Sequence, residues 1–262
     1  MPAGFTTGSH DMARRPQPSL LNPSLKLKGF SPSGTRSSVV RSGSGSGSSK
    51  ASRNQFPQEQ LVAALLAVYG DNLCGLWIGD DNNLSGSEIV SCPGRIGGEA
   101  TPFVPGVYFQ NSVLGKRRAF ANKNATVQGG YVCPMTAPAR ASFCVAAPDE
   151  LPFTEYRALS CDYEVRSYLL GDGEGGVSGW YRLSGTTYCN GVAQISVCSK
   201  PAVYAVNYLK PMSTRIVLGA QPGQPTRQWL GKIGLFGTLR EPPSIEQIVT
   251  GARYCASYYA IL

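Results

Sequence analysis

The chain has 262 residues, of which 42% are hydrophobic and only 15% charged, with 31 glycines and 19 prolines. That length suits one β-sandwich with an extension, and sparse charge with frequent turn residues argues against a helical bundle. The net charge of +8 sits at one end: residues 1–55 hold eight basic residues against Asp11 alone, while the remainder is close to neutral.

In chain order, residues 1–55 read as a low-complexity basic arm. The alternating Gly/Ser tract from Ser42 to Ser49 cannot bury enough apolar surface to offset its ordering entropy, so a flexible linker is expected there. Before it, Leu20, Leu21, Leu25, Leu27 and Phe30 alternate with Pro, Ser and Lys, as in an extended peptide that lies along another subunit. Arms of this kind contact nucleic acid or acidic protein surfaces. The sparse, unclustered charges here point away from specific nucleic-acid binding and towards protein partners met through residues 12–50.

A helix is predicted over 56–70. Pro57 suits its first position, Leu61, Ala64, Leu65 and Val68 make one apolar stripe, and Gly70 stops it. From Leu73 to Phe236 the chain reads as short strands at 73–78, 88–91, 106–110, 117–121, 126–132, 141–147, 155–161, 164–170, 179–183, 192–198, 203–208, 214–219 and 230–236. Their regular spacing, punctuated by Gly and Pro, predicts an all-β, antiparallel sandwich. After Pro242-Pro243, Ser244 and Gln247 fit a capping box, and Ile245, Ile248, Val249, Ala252, Ala256 and Tyr259 form the stripe of a closing amphipathic helix over 244–260. That helix is expected to cover one edge or end of a sandwich spanning 71–262.

The chemistry-bearing residues are few. Eight cysteines lie outside the arm with no Cys-x-x-Cys pair, and the strand-like contexts of Cys144 and Cys198 make them read as small buried hydrophobes. An even number would permit disulfides in an oxidising compartment, but the first 50 residues show no apolar core of a secretory signal. No apolar run is long enough to span a membrane. Glycoside hydrolysis needs paired carboxylates, and only Asp162-Tyr163-Glu164 and Asp172-Gly173-Glu174 offer two acids at close spacing. The sole histidine, His10, lies in the arm, which removes Ser–His–Asp and Cys–His sites. The chain is therefore expected not to be an enzyme. Asp80, Asp81 and Asn83 place hard oxygen ligands on a turn, which suits calcium; no other cofactor is indicated. For a glycan, the Gly-rich loop bearing Asp172 and Glu174 and ending in Trp180, Tyr181 and Arg182 supplies acceptors and ring faces, and Trp229 stands at a second loop end. Trp77 is assigned to the core.

Several stretches, taken together, resemble the laminin G-like branch of the concanavalin A-like lectin superfamily. Cys74-Gly75-Leu76-Trp77-Ile78-Gly79-Asp80-Asp81 is similar to its opening strand, and Arg95-Ile96-Gly97-Gly98-Glu99-Ala100-Thr101 to the Gly-rich turn that follows. Gly115–Phe120 and Ala141–Ala146 resemble the next two strands. Ile216-Val217-Leu218-Gly219, then Trp229–Phe236 and the closing helix, resemble its end. The resemblance implies a concanavalin A-type jelly roll that binds, often to glycans. Modules of this kind on a short arm resemble virion accessory proteins of tailed bacteriophages, at the neck, head, tail spike or fibre. By that analogy the arm docks to other virion proteins, the sandwich decorates the virion or attaches to host surface glycans, and the chain forms a homo-oligomer. Two alternatives stand: a jelly-roll viral capsid protein whose basic arm contacts the genome, and a secreted adhesion lectin, against which the missing signal counts.

Overall fold

The computed structural model describes residues 56–122, 129–149, 157–163, 168–171, 184–193, 198 and 200–261. The chain divides into two units, Met1–Lys50 and Ala51–Leu262, and all described residues belong to the second. The elements are α1 (Gln58–Tyr69), β1 (Leu73–Ile78), β2 (Asn83–Ser85), β3 (Glu88–Ser91), β4 (Thr101–Pro102), β5 (Phe109–Leu114), β6 (Arg117–Asn122), β7 (Tyr131–Pro134), β8 (Ala141–Pro148) and β9 (Arg157–Asp162). They continue as β10 (Tyr168–Gly171), β11 (Ser184–Cys189), β12 (Val192–Ala193), β13 (Ala202–Tyr208), β14 (Arg215–Leu218), β15 (Ala220–Gln221), β16 (Gln224–Gln228), β17 (Gly231–Leu239) and α2 (Ile245–Tyr259).

The strands form an antiparallel β-sandwich, as the sequence pattern predicts. One sheet has ten strands, in the order β12-β11-β13-β8-β17-β6-β5-β3-β2 with β1 also paired to β17. The other has five, β10-β9-β14-β7-β4, and β15-β16 make a small hairpin. The long strand β17 organises the large sheet. It pairs with β8 along its length on one side; on the other its first part pairs with β6 and its last part with β1. The register shifts between Ile233 and Leu235, so Gly234 sits at the irregularity where β17 changes partner.

The inner core lies between the sheets. The large sheet contributes Trp77, Phe120, Cys144, Tyr204 and Phe236, and the small one Tyr131, Cys133, Leu159, Ile216 and Leu218. Trp77 is fully buried as expected; it stacks on Phe236 and donates its indole N–H to the Gly98 carbonyl at 2.9 Å.

The closing helix does not cover an edge or an end. Together with α1, α2 packs on the outer face of the large sheet and builds a second core there. Leu61, Leu65 and Tyr69 of α1 and Ala252, Cys255, Ala256 and Tyr259 of α2 bury against Leu76, Ile78, Phe143, Val145, Val203 and Leu235. The physical reason lies in the strands: β1, β8 and β17 are apolar on both faces and leave a wide surface that two helices must cover. Each large side chain buried there contributes about 1.5–3 kcal/mol. Gly251 lets the helices approach, since a Cβ there would run into the Tyr69 hydroxyl. The capping box forms as predicted: Gln247 N–H donates to Ser244 Oγ at 3.2 Å and Ser244 N–H to Gln247 Oε1 at 2.9 Å. Gln247 Nε2 also donates to the Val68 carbonyl, tying the start of α2 to the last turn of α1. Ile245, expected in the stripe, is 68% exposed, while Cys255, outside the predicted stripe, is fully buried. Pro57 stands one position earlier than expected, as N-cap of α1. No described helix is long and apolar enough to cross a membrane.

Candidate functional site

Of the residues expected to meet a glycan, Asp172, Glu174, Trp180, Tyr181 and Arg182 lie outside the described residues. Trp229 does not form a platform. The β15–β16 hairpin turns the chain back so that Trp229 falls into the inner core at 2% exposure, with its backbone N–H donated to the Gly219 carbonyl.

The acids expected to ligate calcium face cations instead. Asp80 and Asp81 occupy the 3₁₀ turn Gly79–Asp81 that follows β1. Asp81 takes a bidentate contact from Arg95, at 2.7 Å from both Nε and Nη2, and accepts from Gln58 Nε2 of α1 at 2.8 Å. Arg95 reaches on to Glu59 of α1 at 2.9 Å. Asp80 accepts from the Arg118 backbone N–H at 2.8 Å and from the Tyr258 hydroxyl of α2, and pairs with Arg117 at 3.5 Å. Arg117 in turn lies over the Tyr258 ring and donates to the Phe56 carbonyl. Asn83 is exposed and donates to Ser91 Oγ at 3.0 Å. The acidic pair therefore clamps both helices to the large sheet. Bidentate guanidinium–carboxylate geometry of this kind leaves those oxygens committed. Among the described residues no group of three or more His, Cys, Asp or Glu is placed to hold a metal ion.

The exposed aromatic cluster that the structure does show lies on the small sheet. Strand alternation, read from the inward Ile216 and Leu218, turns Arg215 and Val217 of β14 to the outer face, with Cys161 and Val132 opposite Val217. Val132 pairs with Thr101 of β4, which puts Thr101 and, two residues on, Phe103 on that face as well. Tyr163 follows the inward Asp162 and points out by the same alternation. The rings of Phe103 and Tyr163 meet edge to face at 6.0 Å, and the Arg215 guanidinium carbon lies 4.3 Å from the Tyr163 ring centroid. Tyr163 is 38% exposed and Arg215 is exposed.

This cluster is held from beneath. Asp162 is buried and accepts from the Ser213 backbone N–H at 2.5 Å, and Ser213 Oγ lies 3.1 Å from Asp162 Oδ1 and 2.9 Å from the Arg215 carbonyl oxygen. The Tyr163 backbone N–H donates to that same Arg215 carbonyl at 3.1 Å. The end of β9 and the start of β14 thus form one rigid corner, and Phe103 is fixed by its N–H donated to Gly130 at 2.7 Å. Of the two acids at close spacing, Asp162 is tied into that corner and Glu164 lies outside the described residues. A guanidinium on a phenol ring, with a second ring beside it, can stack on an apolar face and donate hydrogen bonds to oxygens around it. Sequence reading passed over Phe103 and Arg215 because a single aromatic or cation after a short strand carries no local signature.

No family model matches the chain, and no curated protein matches it in sequence. Solved structures to which it is similar include domain 4 of AbnA, a GH43 extracellular arabinanase from Geobacillus stearothermophilus, in complex with arabinotriose. That match has 13% identity and a TM-score of 0.46, and covers 69% of this chain and 98% of that one. Trypanosoma rangeli sialidase in complex with the inhibitor DANA is similar at 15% identity and a TM-score of 0.40, over 68% of this chain. A mutant of that sialidase displaying trans-sialidase activity is similar at 12% identity and a TM-score of 0.44, over 77% of this chain. The matches cover 32% and 37% of the two sialidase chains. The expectation that the chain is not an enzyme is corrected by these findings: glycoside hydrolases are among the structures it is similar to. At these scores the likeness brings no activity and no substrate to this chain.

Proposed function

We propose that the sandwich is a carbohydrate-binding module of the laminin G-like kind, carried on a virion by residues 12–50 and directed at host surface glycans. The observation that carries the reading is the Phe103–Tyr163–Arg215 cluster at the corner of the small sheet, rigidly supported, with Phe103 half-buried and Tyr163 and Arg215 exposed. Its rings offer a face for sugar C–H groups and its guanidinium offers donors to ring and hydroxyl oxygens. The outer face of the large sheet is closed by α1 and α2, whereas Tyr163 and Arg215 at the corner of the small sheet are exposed. The basic, Gly/Ser-linked arm supports attachment to other virion proteins.

The full chain, immobilised and probed with host envelope polysaccharides, tests the glycan half. A stacked sugar ring is worth about 1–3 kcal/mol if it behaves like other ring-on-ring contacts. Tyr163→Ala and Arg215→Ala should therefore each weaken binding about tenfold or more, with little change in melting temperature because both side chains are exposed. Undiminished binding by both variants would remove this surface from the reading. Deleting residues 1–50 tests the other half. The truncated protein should fold yet fail to join the particle, and normal occupancy without the arm would refute the anchoring role.

A further inference from the structure

Two of the cysteines stand apart from the rest. Cys74 contacts Thr238 Oγ1, Cys92 faces the Ile78 carbonyl and Cys133 the Tyr131 carbonyl, as small buried hydrophobes would. Cys189 and Cys198 instead bring their sulfurs to 2.6 Å from each other, nine positions apart in sequence. Cys189 ends β11 and is buried; Cys198 is half-buried and packs on the inner core. A single tyrosine fixes their approach. Tyr204 lies opposite Cys189 in the β11–β13 ladder, and its hydroxyl accepts from the Cys198 backbone N–H at 3.1 Å and donates to the Cys198 carbonyl at 3.3 Å. From the other side, the tight β11–β12 turn through Asn190 and Gly191, both at positive φ, sets the direction in which Cys189 leaves its strand.

We infer that Cys189 and Cys198 are a redox pair that closes to a disulfide and cross-links the β11 edge of the large sheet. The oxidant is a small-molecule disulfide. The Cys198 thiolate, on the more accessible side, attacks it and expels one thiolate, leaving a mixed disulfide on Cys198. The Cys189 thiolate then attacks the Cys198 sulfur and expels the second. Two protein thiols and one external disulfide become one protein disulfide and two external thiols, and the two protons released by the cysteines go to the departing thiolates. The bond would clasp the β11–β12 turn, whose Gly191 lies against Val249 of α2, to the core beneath it.

The test uses the full chain equilibrated with oxidised glutathione, unfolded, alkylated and mapped by mass spectrometry. Eight thiols should label in the reduced protein, whereas the oxidised protein should label two fewer and yield a peptide in which Cys189 is joined to Cys198. Closing a loop of about ten residues should raise the melting temperature by about 5–10 °C over the reduced form. Cys198→Ser should lose both the cross-link and the redox dependence of melting. Full labelling after oxidation, a glutathione adduct at Cys198 that never resolves, or a bond joining different cysteines would each overturn the inference. The wild-type map decides the matter even if the serine variant folds poorly.

Discussion

The docking of α2 on β17 can be tested by exchanging the order in which two residues are changed. Gly234 lies at the register shift of β17, directly under the Tyr259 ring, and the Tyr259 hydroxyl donates to the Gly234 carbonyl. A Cβ built on Gly234 would lie 2.7 Å from the ring Cζ and 3.0 Å from the hydroxyl oxygen, so the ring and its helix would have to move. Gly234 is not among the positive-φ glycines, so the cost of Gly234→Ala is steric and not conformational. Overpacking of this kind costs about 1–3 kcal/mol. Tyr259→Leu removes the ring end and the hydroxyl that the new methyl would strike; on its own it should cost about 2–4 kcal/mol for lost burial and an unmet carbonyl. In that background Gly234→Ala should cost nothing, or stabilise by up to about 0.5–1 kcal/mol through reduced freedom of the unfolded chain. The assay is equilibrium urea unfolding followed by tryptophan fluorescence, for which buried Trp77 and Trp229 are built-in reporters. The reasoning requires a coupling of about 2 kcal/mol between the sites. Equal costs for Gly234→Ala in both backgrounds would refute it.

Two further outcomes follow from burial. Trp229→Ala should destabilise the sandwich by about 3–5 kcal/mol and lower the melting temperature by about 6–20 °C; a variant that melts normally would show that Trp229 is not core. Burial pushes the Cys92 and Cys255 thiols up to about 12 from 9.0, so the folded state holds protons that the unfolded state releases. Stability should therefore be level from pH 7 to 8 and should fall by about 1.4 kcal/mol per pH unit for each thiol as pH rises from about 9 towards 12. Buried tyrosines such as Tyr208 and Tyr259, also raised by burial, steepen the fall at its alkaline end. Urea midpoints at pH 8 and pH 10.5 check this, and equal values would refute it.

The sequence carried the sandwich because its strands are punctuated, and 73–78 and 88–91 coincide with β1 and β3. Both helices were legible from their stripes and the Ser244–Gln247 box. What the pattern could not carry was the layer order. Val145, Leu235 and Ile78 read as core wherever they go, and only pairing shows that they face helices and not the opposite sheet. The Pro222-Gly223 turn marks the β15–β16 hairpin, yet the polar run around it reads as a loop, which is why Trp229 looked like a loop-end platform. The acidic turn at Asp80 and Asp81 is a calcium motif by composition alone. Its meaning came from Arg95 and Arg117, which are remote in sequence and supply the countercharge from other elements.

That clamp bears on where recognition can occur. Asp81 draws Gln58 and, through Arg95, Glu59 of α1 to the end of β1, while Asp80 draws Tyr258 of α2 and Arg117 of β6. Opening the helix layer to expose the outer face of the large sheet would mean breaking these contacts together with the apolar burial of Leu61, Leu65 and Tyr259. No ligand of modest affinity supplies that much free energy. On the small sheet Val217 and Cys161 of the outer face are buried, while Tyr163 and Arg215 at its corner are exposed, and that corner is set before any ligand arrives by the buried Asp162 and by Ser213. A prearranged, exposed corner, set apart from a locked helix layer, is the arrangement expected of a site that could bind without unfolding any layer.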